Sequence, residues 1–138
     1  MAKISIKSVP PPSAVGPLTV TDFVVYQGAS GDLASIHHDF EVARLAGYDM
    51  PFAPGMYPAG ILASWATAWL GARNLRRFKV RFVSMVWPGD VLTCEGSIAF
   101  VTEDERETTI ELELTCRSQQ AVTLLGWATF VIPAAETT

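Results

Sequence analysis

The chain has 138 residues, a length that favours one compact domain over residues 1–138. Hydrophobic residues make up 49% of it and charged residues 17%. This apolar share is more than a lone small domain can hide, so we expect an apolar face to be buried against another subunit. The net charge of −4 argues against nucleic acid as a partner.

Location and cysteine content are also constrained by the sequence. The N-terminal residues lack the apolar core of a signal peptide, and the most apolar stretch, residues 56–70, is too short to span a membrane. We therefore expect a cytoplasmic protein with no membrane association. Cys94 and Cys116 fit neither a disulfide framework nor a metal-ligand spacing, so we expect them to behave as small strand residues.

The first part of the chain predicts an extended arm followed by a short helix. Residues 1–18 hold four of the nine prolines, which is typical of an extended N-terminal arm. Thr19 or Thr21 can cap a short helix that reaches about Gln27. Gly28 and Gly31 then break the helical pattern and predict a loop.

That loop carries Asp32 and His37, and a second short helix follows it. Asp39 is a plausible N-cap for a helix over residues 40–46, with Gly47 as its stop signal. We expect Asp39 to serve as this cap and not as a catalytic carboxylate.

The next helix is apolar on nearly all sides. Gly55 precedes residues 56–70, Pro58 falls in the first turn, where a missing N–H costs little, and Gly71 can end the helix. A helix without a polar face is usually surrounded by other structure. We therefore expect it to be the central element of the domain.

The second half of the chain predicts antiparallel strands. Phe78, Val80 and Phe82 alternate with less apolar neighbours, a period of two residues. Four strands are expected in a meander, over residues 75–83, 91–100, 108–117 and 122–132. One buried helix followed by such strands is an α+β pattern.

Three motifs in the chain resemble those of one family. The run Ser30-Gly31-Asp32, followed by Ile36-His37, is similar to the signature loop of the MaoC-like (R)-specific enoyl-CoA hydratases and dehydratases.

The second and third motifs follow in the family's order. Gly55-Met56 begins the apolar helix where the family has a His-Gly-Met segment. Residues 80–92, with Pro-Gly-Asp between two strands, resemble the family's strand pair. The resemblance covers roughly residues 20–95.

The resemblance implies a single hot-dog domain, in which an antiparallel sheet wraps around the long apolar helix. It implies that Asp32 and His37 form a catalytic pair and that the backbone N–H of Gly55 is an oxyanion donor. The implied reaction is reversible hydration of a trans-2-enoyl thioester to the (R)-3-hydroxyacyl product. Residues expected to contact the substrate are Ser30, Tyr26, Pro54, Met56 and Ser84.

The resemblance also implies partners. The substrate is an acyl-CoA or an acyl-carrier thioester, so coenzyme A enters as part of the substrate and no metal, flavin or nicotinamide cofactor is implied. The domain is expected to pair with a second copy, or with a homologous hot-dog subunit, through strand edges and apolar surface.

Departures from the family pattern leave alternatives open. Ala34 stands where the family usually has Asn, Ser35 where it usually has Pro, and Pro54 where it usually has His. One alternative is a hot-dog thioesterase, which attacks the thioester carbonyl instead of the beta carbon. Another is a non-catalytic or half-site partner subunit of a heteromeric dehydratase. The retained pair of Asp32 and His37 favours the hydratase.

Two further expectations concern residues near the site. His38 is expected to be structural, since it adjoins His37 and points elsewhere. The small residues of the apolar helix are expected to leave space along one flank for a long or bulky acyl chain. They are Ala59, Gly60, Ala63 and Ala66.

Overall fold

A computed structural model describes residues 3–138 and shows a five-stranded antiparallel sheet around one central helix. The helices are α1 (Val20–Ser30), α2 (Phe40–Leu45) and α3 (Met56–Leu70), and the strands are β1 (Ser13–Val15), β2 (Leu75–Phe82), β3 (Leu92–Glu103), β4 (Glu107–Arg117) and β5 (Val122–Pro133). The strand order is β1-β3-β4-β5-β2, and α3 packs against β2 to β5. The expected α+β hot-dog arrangement is confirmed.

The helix caps explain where α1 and α2 begin. Thr19 caps α1 in a capping box, in which its hydroxyl accepts from the Asp22 N–H and its own N–H donates to the Asp22 carboxylate at 2.8 Å. Asp39 accepts from two backbone N–H groups at the start of α2, so its expected role as a cap is confirmed.

The prediction that α1 ends near Gln27 is wrong by three residues. Gly28 lies within the helix on an exposed side, where a glycine costs only about 1 kcal/mol. Gly31 ends α1 instead, with a φ of 80° that suits glycine, and its N–H donates to the Gln27 carbonyl. The loop that carries the predicted catalytic pair therefore starts one helical turn later than expected.

The meander is correct for β3, β4 and β5, but the place of β2 was predicted wrongly. This strand pairs with β5 at the edge of the sheet and has no pairing with β3. Residues 83–91 cross from one strand to the other and are held by backbone bonds, among them Ala53 N–H to Val86 O and Leu18 N–H to Asp90 O, both 2.9 Å. The crossing lets the sheet close over α3 from both sides.

The core lies between α3 and the inner face of the sheet. Leu62 is fully buried and sits so close to β5 that a methyl group on Gly126 would lie 3.0 Å from it. Ala59 and Ala66 are also buried in this core. No space is left beside these two alanines, because they bring the helix close to the sheet. Gly60, on another side of the helix, is exposed, and a methyl group there would meet nothing within 4 Å, so the predicted space exists at Gly60 and not at Ala59 or Ala66.

The N-terminal arm packs along α3. Trp65 Nε1 donates to the Pro11 carbonyl at 3.2 Å, and Trp69 Nε1 donates to the Ser5 carbonyl at 2.9 Å. Within the predicted arm of residues 1–18, β1 pairs with β3, while residues 1 and 2 lie outside the described residues. The arm is thus extended, as expected, and adds an edge strand.

The structure also bears on the expectations for the two cysteines and for membrane association. Cys94 and Cys116 are buried directly opposite each other on β3 and β4, and both are free thiols. Among residues 3–138, no helix is both long enough and apolar enough to cross a membrane. Cytoplasmic location stays a prediction.

Candidate active site

Asp32 and His37 lie together in the loop after α1. His37 Nε2 is 3.9 Å from Asp32 Oδ2, and their side chains are 11% and 52% exposed. The loop turns through the short 3-10 helix Ser35–His37, which brings the ring back toward the carboxylate. A buried imidazole thus faces a carboxylate that is open to solvent.

The His37 ring is oriented by a backbone carbonyl. Its Nδ1 lies 2.8 Å from the Phe52 carbonyl oxygen, which can only accept, so Nδ1 carries a hydrogen and donates it. In the neutral ring, Nε2 is then an acceptor on the side of Asp32. The ring also packs edge-on against the Phe52 ring, with centroids 5.2 Å apart.

The two oxygens of the Asp32 carboxylate have different neighbours. Oδ1 accepts from the Ala34 N–H at 3.4 Å and closes a tight local turn, whereas Oδ2 points toward His37. The Ser30 hydroxyl accepts from the Asp32 N–H at 3.2 Å. Ser30, predicted to contact substrate, therefore supports the backbone of the loop in this structure.

Aromatic side chains connect the three motifs of the sequence. Phe52 packs on Tyr48 and on Trp87, with ring centroids 5.0 and 5.9 Å apart. The Trp87 N–H donates to Asp90 in the Pro-Gly-Asp turn at 2.9 Å. The His37 loop, the segment before α3 and the turn before β3 thus meet around Phe52.

A small cavity lies at the start of α3. It measures about 290 Å³, and Phe52, Gly55, Phe82 and Ser84 are among its lining residues. Gly55 is the N-terminal cap residue of α3. Backbone N–H groups at a helix start lack intrahelical partners and carry the positive end of the helix dipole, so this cavity suits an oxygen that gains negative charge.

Replacement of Gly55 by Ala is expected to lower kcat/KM about tenfold, because a displaced acyl group reacts more slowly. The added methyl group would lie 3.2 Å from the Phe82 ring and narrow the cavity. Steady-state kinetics on an enoyl-CoA measures the effect, with Gly28→Ala as the control, since Gly28 is an exposed residue of α1 and a methyl group there meets nothing within 4 Å. A Gly55→Ala variant that keeps the kcat/KM of the wild type and of the control would contradict a substrate position beside Gly55.

The other predicted substrate contacts are only partly brought together. Ser84 lines the cavity at Gly55, but its hydroxyl donates to the Val122 carbonyl at 2.7 Å. Pro54 is buried and its carbonyl closes a turn, while Met56 is exposed and is not among the residues that line the cavity. The substrate-binding roles of these residues remain predictions.

Tyr26 lies in a separate and larger groove between the N-terminal arm and α3. The groove measures about 1000 Å³, and its lining includes Tyr57, Ile61 and Trp65. The Tyr26 and Tyr57 rings are 5.2 Å apart. Burial, together with the Asp22 carboxylate, raises the pKa of the Tyr57 hydroxyl, so it stays protonated and able to donate.

Gln27 is the main functional candidate that sequence reasoning missed. It is 2% exposed and bonds to the loop that carries Asp32. Phe23 and Gln27 are the two buried residues of α1 and lie one helical turn apart. That spacing could have placed Gln27 on the buried face, where a polar side chain must find partners.

Comparisons with known proteins identify a family and relatives of the chain. The family model described as MaoC like domain matches residues 4–120. The probable enoyl-CoA hydratase 2 of Dictyostelium discoideum is 29% identical over 75 residues. That match covers 52% of this chain and only 26% of the longer relative.

Solved structures show the same fold. The chain superposes on the (R)-hydratase from A. caviae involved in PHA biosynthesis with a TM-score of 0.77 and 19% identity, covering 92% of this chain and 97% of that one. It superposes on a chain of the ChsH1-ChsH2 complex from Mycobacterium tuberculosis with a TM-score of 0.79 and 18% identity, covering 91% and 95%. A MaoC-like dehydratase is 28% identical, with a TM-score of 0.78, and the match covers 95% of this chain and 42% of that one.

The two lower identities establish the hot-dog fold alone. The family model matches most of the chain, including all three motifs around Phe52. The chain therefore belongs to the MaoC-like domain family.

Proposed function

We propose that this chain catalyses the reversible hydration of a trans-2-enoyl thioester to the (R)-3-hydroxyacyl thioester. The observation that carries the proposal is the Asp32–His37 pair, with His37 Nε2 and Asp32 Oδ2 at 3.9 Å and the opposite ring nitrogen held by a backbone carbonyl. Family membership and the fold of the (R)-hydratase support the same reaction class.

The geometry suits the activation of one water molecule. Asp32 Oδ2 and Nε2 of neutral His37 are both acceptors and do not hydrogen-bond each other, and their separation of 3.9 Å lets one water molecule contact both. A water that donates one hydrogen to Asp32 and one to His37 keeps its oxygen lone pairs free for attack. Asp32 takes the proton as the general base, and His37 orients the water and shuttles the proton.

In the proposed step, the water oxygen forms a bond to the beta carbon of the enoyl group. The double-bond electrons move toward the thioester carbonyl, whose oxygen gains negative charge. The proton that Asp32 removed from the water then passes by way of His37 to the alpha carbon, which restores the neutral carbonyl and leaves Asp32 ionised again. The N–H of Gly55 at the start of α3 stabilises that oxygen, and one such donor is often worth about 3–4 kcal/mol. The net reaction adds one water molecule to the double bond, so no oxidant or reductant is required.

The proposed substrate is an acyl-CoA or an acyl-carrier thioester. The acyl group enters the cavity of about 290 Å³ beside Gly55, with coenzyme A or the carrier arm outside it. Phe82, Val83 and Met85 are exposed hydrophobic residues at this cavity and suit an apolar ligand or an apolar subunit surface.

The direct test is to incubate the purified chain with trans-2-enoyl-CoA and a thiol reagent. We expect the enoyl absorbance to fall while the thiol reagent stays unreacted, because hydration keeps the thioester intact. Release of free coenzyme A without a hydroxyacyl product would show a thioesterase and reject the proposal.

A second candidate is a half-site subunit of a heteromeric dehydratase. The exposed Met56 and Phe82 flank Gly55 and suit an apolar contact with a second hot-dog subunit. The structural resemblance to a chain of the ChsH1-ChsH2 complex supports such pairing. If the chain hydrates no enoyl-CoA alone but does so after a homologous subunit is added, this candidate replaces the first.

A further inference from the structure

We infer that Gln27 is a positioning residue that holds the Asp32–His37 loop in its reactive shape. The inference rests on the proposed function, since it assigns Gln27 a role in that reaction. Gln27 lies in the last turn of α1 and is 2% exposed, although its carboxamide is fully polar. A buried amide in this place needs partners, and its partners all belong to the loop.

The amide nitrogen of Gln27 binds the loop at two points. Nε2 donates to the Asp32 carbonyl and to the Ala34 carbonyl, both at 2.9 Å. These carbonyls flank Leu33, a residue that is 67% exposed. The outer side of the loop has little packing to hold it, so the two hydrogen bonds to α1 are its inner support.

The amide oxygen of Gln27 has a partner that fixes its orientation. Since Nε2 faces two carbonyls, Oε1 must face the His38 ring, whose Nδ1 is 2.8 Å away. Nδ1 of His38 therefore carries a hydrogen and donates it to Oε1. This contact prevents the amide from flipping, which would exchange its oxygen and nitrogen. It also agrees with the expected structural role of His38.

The contacts of Gln27 lie on both sides of the turn that forms the catalytic pair. Asp32 comes before this turn, Ala34 begins the short helix Ser35–His37, and His38 ends it. A change in the spacing of these backbone groups moves the Asp32 carboxylate relative to the His37 ring. Displacements of about 1 Å at a reacting group can cost about a hundredfold in rate.

Gln27→Met and Gln27→Glu test the inference. Methionine keeps the length and burial of the side chain without hydrogen bonds. Glutamate keeps the shape, but it replaces an amide that donates to two carbonyls by a carboxyl that can donate to one at most. We expect kcat on enoyl-CoA to fall about ten- to a hundredfold in both variants, with KM changed less than about threefold. Val25→Ala, an exposed change on the same helix, is the matched control and is expected to match the wild type.

A second readout does not depend on activity. The chain has two histidines, so the ring C–H signals of His37 and His38 are readily assigned by NMR. We expect the His37 signal to shift in Gln27→Met although the residue does not touch Gln27. If the wild type hydrates no enoyl thioester but this shift occurs, the proposed function fails and the positioning role stands.

The inference is overturned if folded Gln27→Met and Gln27→Glu both keep kcat within about threefold of the wild type, and the His37 signal stays in place. Melting temperatures and circular dichroism identify the folded variants. If Gln27→Met does not fold, Gln27→Glu decides the matter by the same two readouts, because its side chain has the shape of the original.

Discussion

Asp32→Asn is expected to lower kcat for enoyl-CoA hydration by about a hundredfold or more. The amide keeps the shape of the carboxylate, and its oxygen can still accept from the Ala34 N–H, which closes the local turn. It cannot take a proton from water, because its basicity is lost. The variant therefore removes the chemistry of Asp32 and leaves the loop folded.

The measurement is steady-state kinetics, with melting temperature as the check on folding. Asp49→Asn is the matched control, since Asp49 is an exposed carboxylate in the loop before α3. We expect that control to retain wild-type kcat. An Asp32→Asn variant that keeps more than about a third of wild-type kcat would reject Asp32 as the base.

His37→Ala is expected to have an effect of similar size, about a hundredfold or more in kcat. The change removes Nε2, which faces Asp32, and the N–H that donates to the Phe52 carbonyl. Water can reach the vacated space and bond to that carbonyl, which limits the effect on folding. Kinetics and circular dichroism are compared with those of Val25→Ala, the exposed helix control. Full activity in folded His37→Ala would exclude His37 from the reaction.

Local signals in the sequence predicted the elements that depend on local physics. Thr19 and Asp39 cap helices because their side chains bond to N–H groups two or three residues away. The bounds of α3 follow from an apolar run between Gly55 and Gly71. The Asp32 and His37 pair was also correctly expected to lie together, because both residues lie in one short loop.

Features that depend on distant contacts were not predictable in this way. The end of α1 lies beyond Gly28, because Gly31 provides the left-handed cap and Gln27 anchors the helix to the loop. The edge position of β2 depends on the crossing of residues 83–91, for which single-strand periodicity gives no signal. Space was predicted along the small residues of α3, but Ala59 and Ala66 have none because the helix packs directly against the sheet there, whereas Gly60 borders the groove of about 1000 Å³.

In the candidate site, too, some residues could be predicted from the sequence and others could not. No sequence pattern singled out Phe52. Its carbonyl nevertheless orients His37, and its ring packs against Tyr48 and Trp87. These contacts join residues from three separated segments, so no spacing along the chain reveals them. Asp32 and His37 could be predicted from the motifs, whereas the groups that hold them in place are apparent only in the fold.

The central claim is that Asp32 and His37 act as one unit on one water. A double-mutant cycle tests it most directly: kcat is measured for the wild type, Asp32→Asn, His37→Ala and the double variant. Residues that act as a unit are strongly non-additive, so we expect the double variant to be about as slow as the slower single variant. Losses that multiply in the double variant would show two independent groups and contradict the claim.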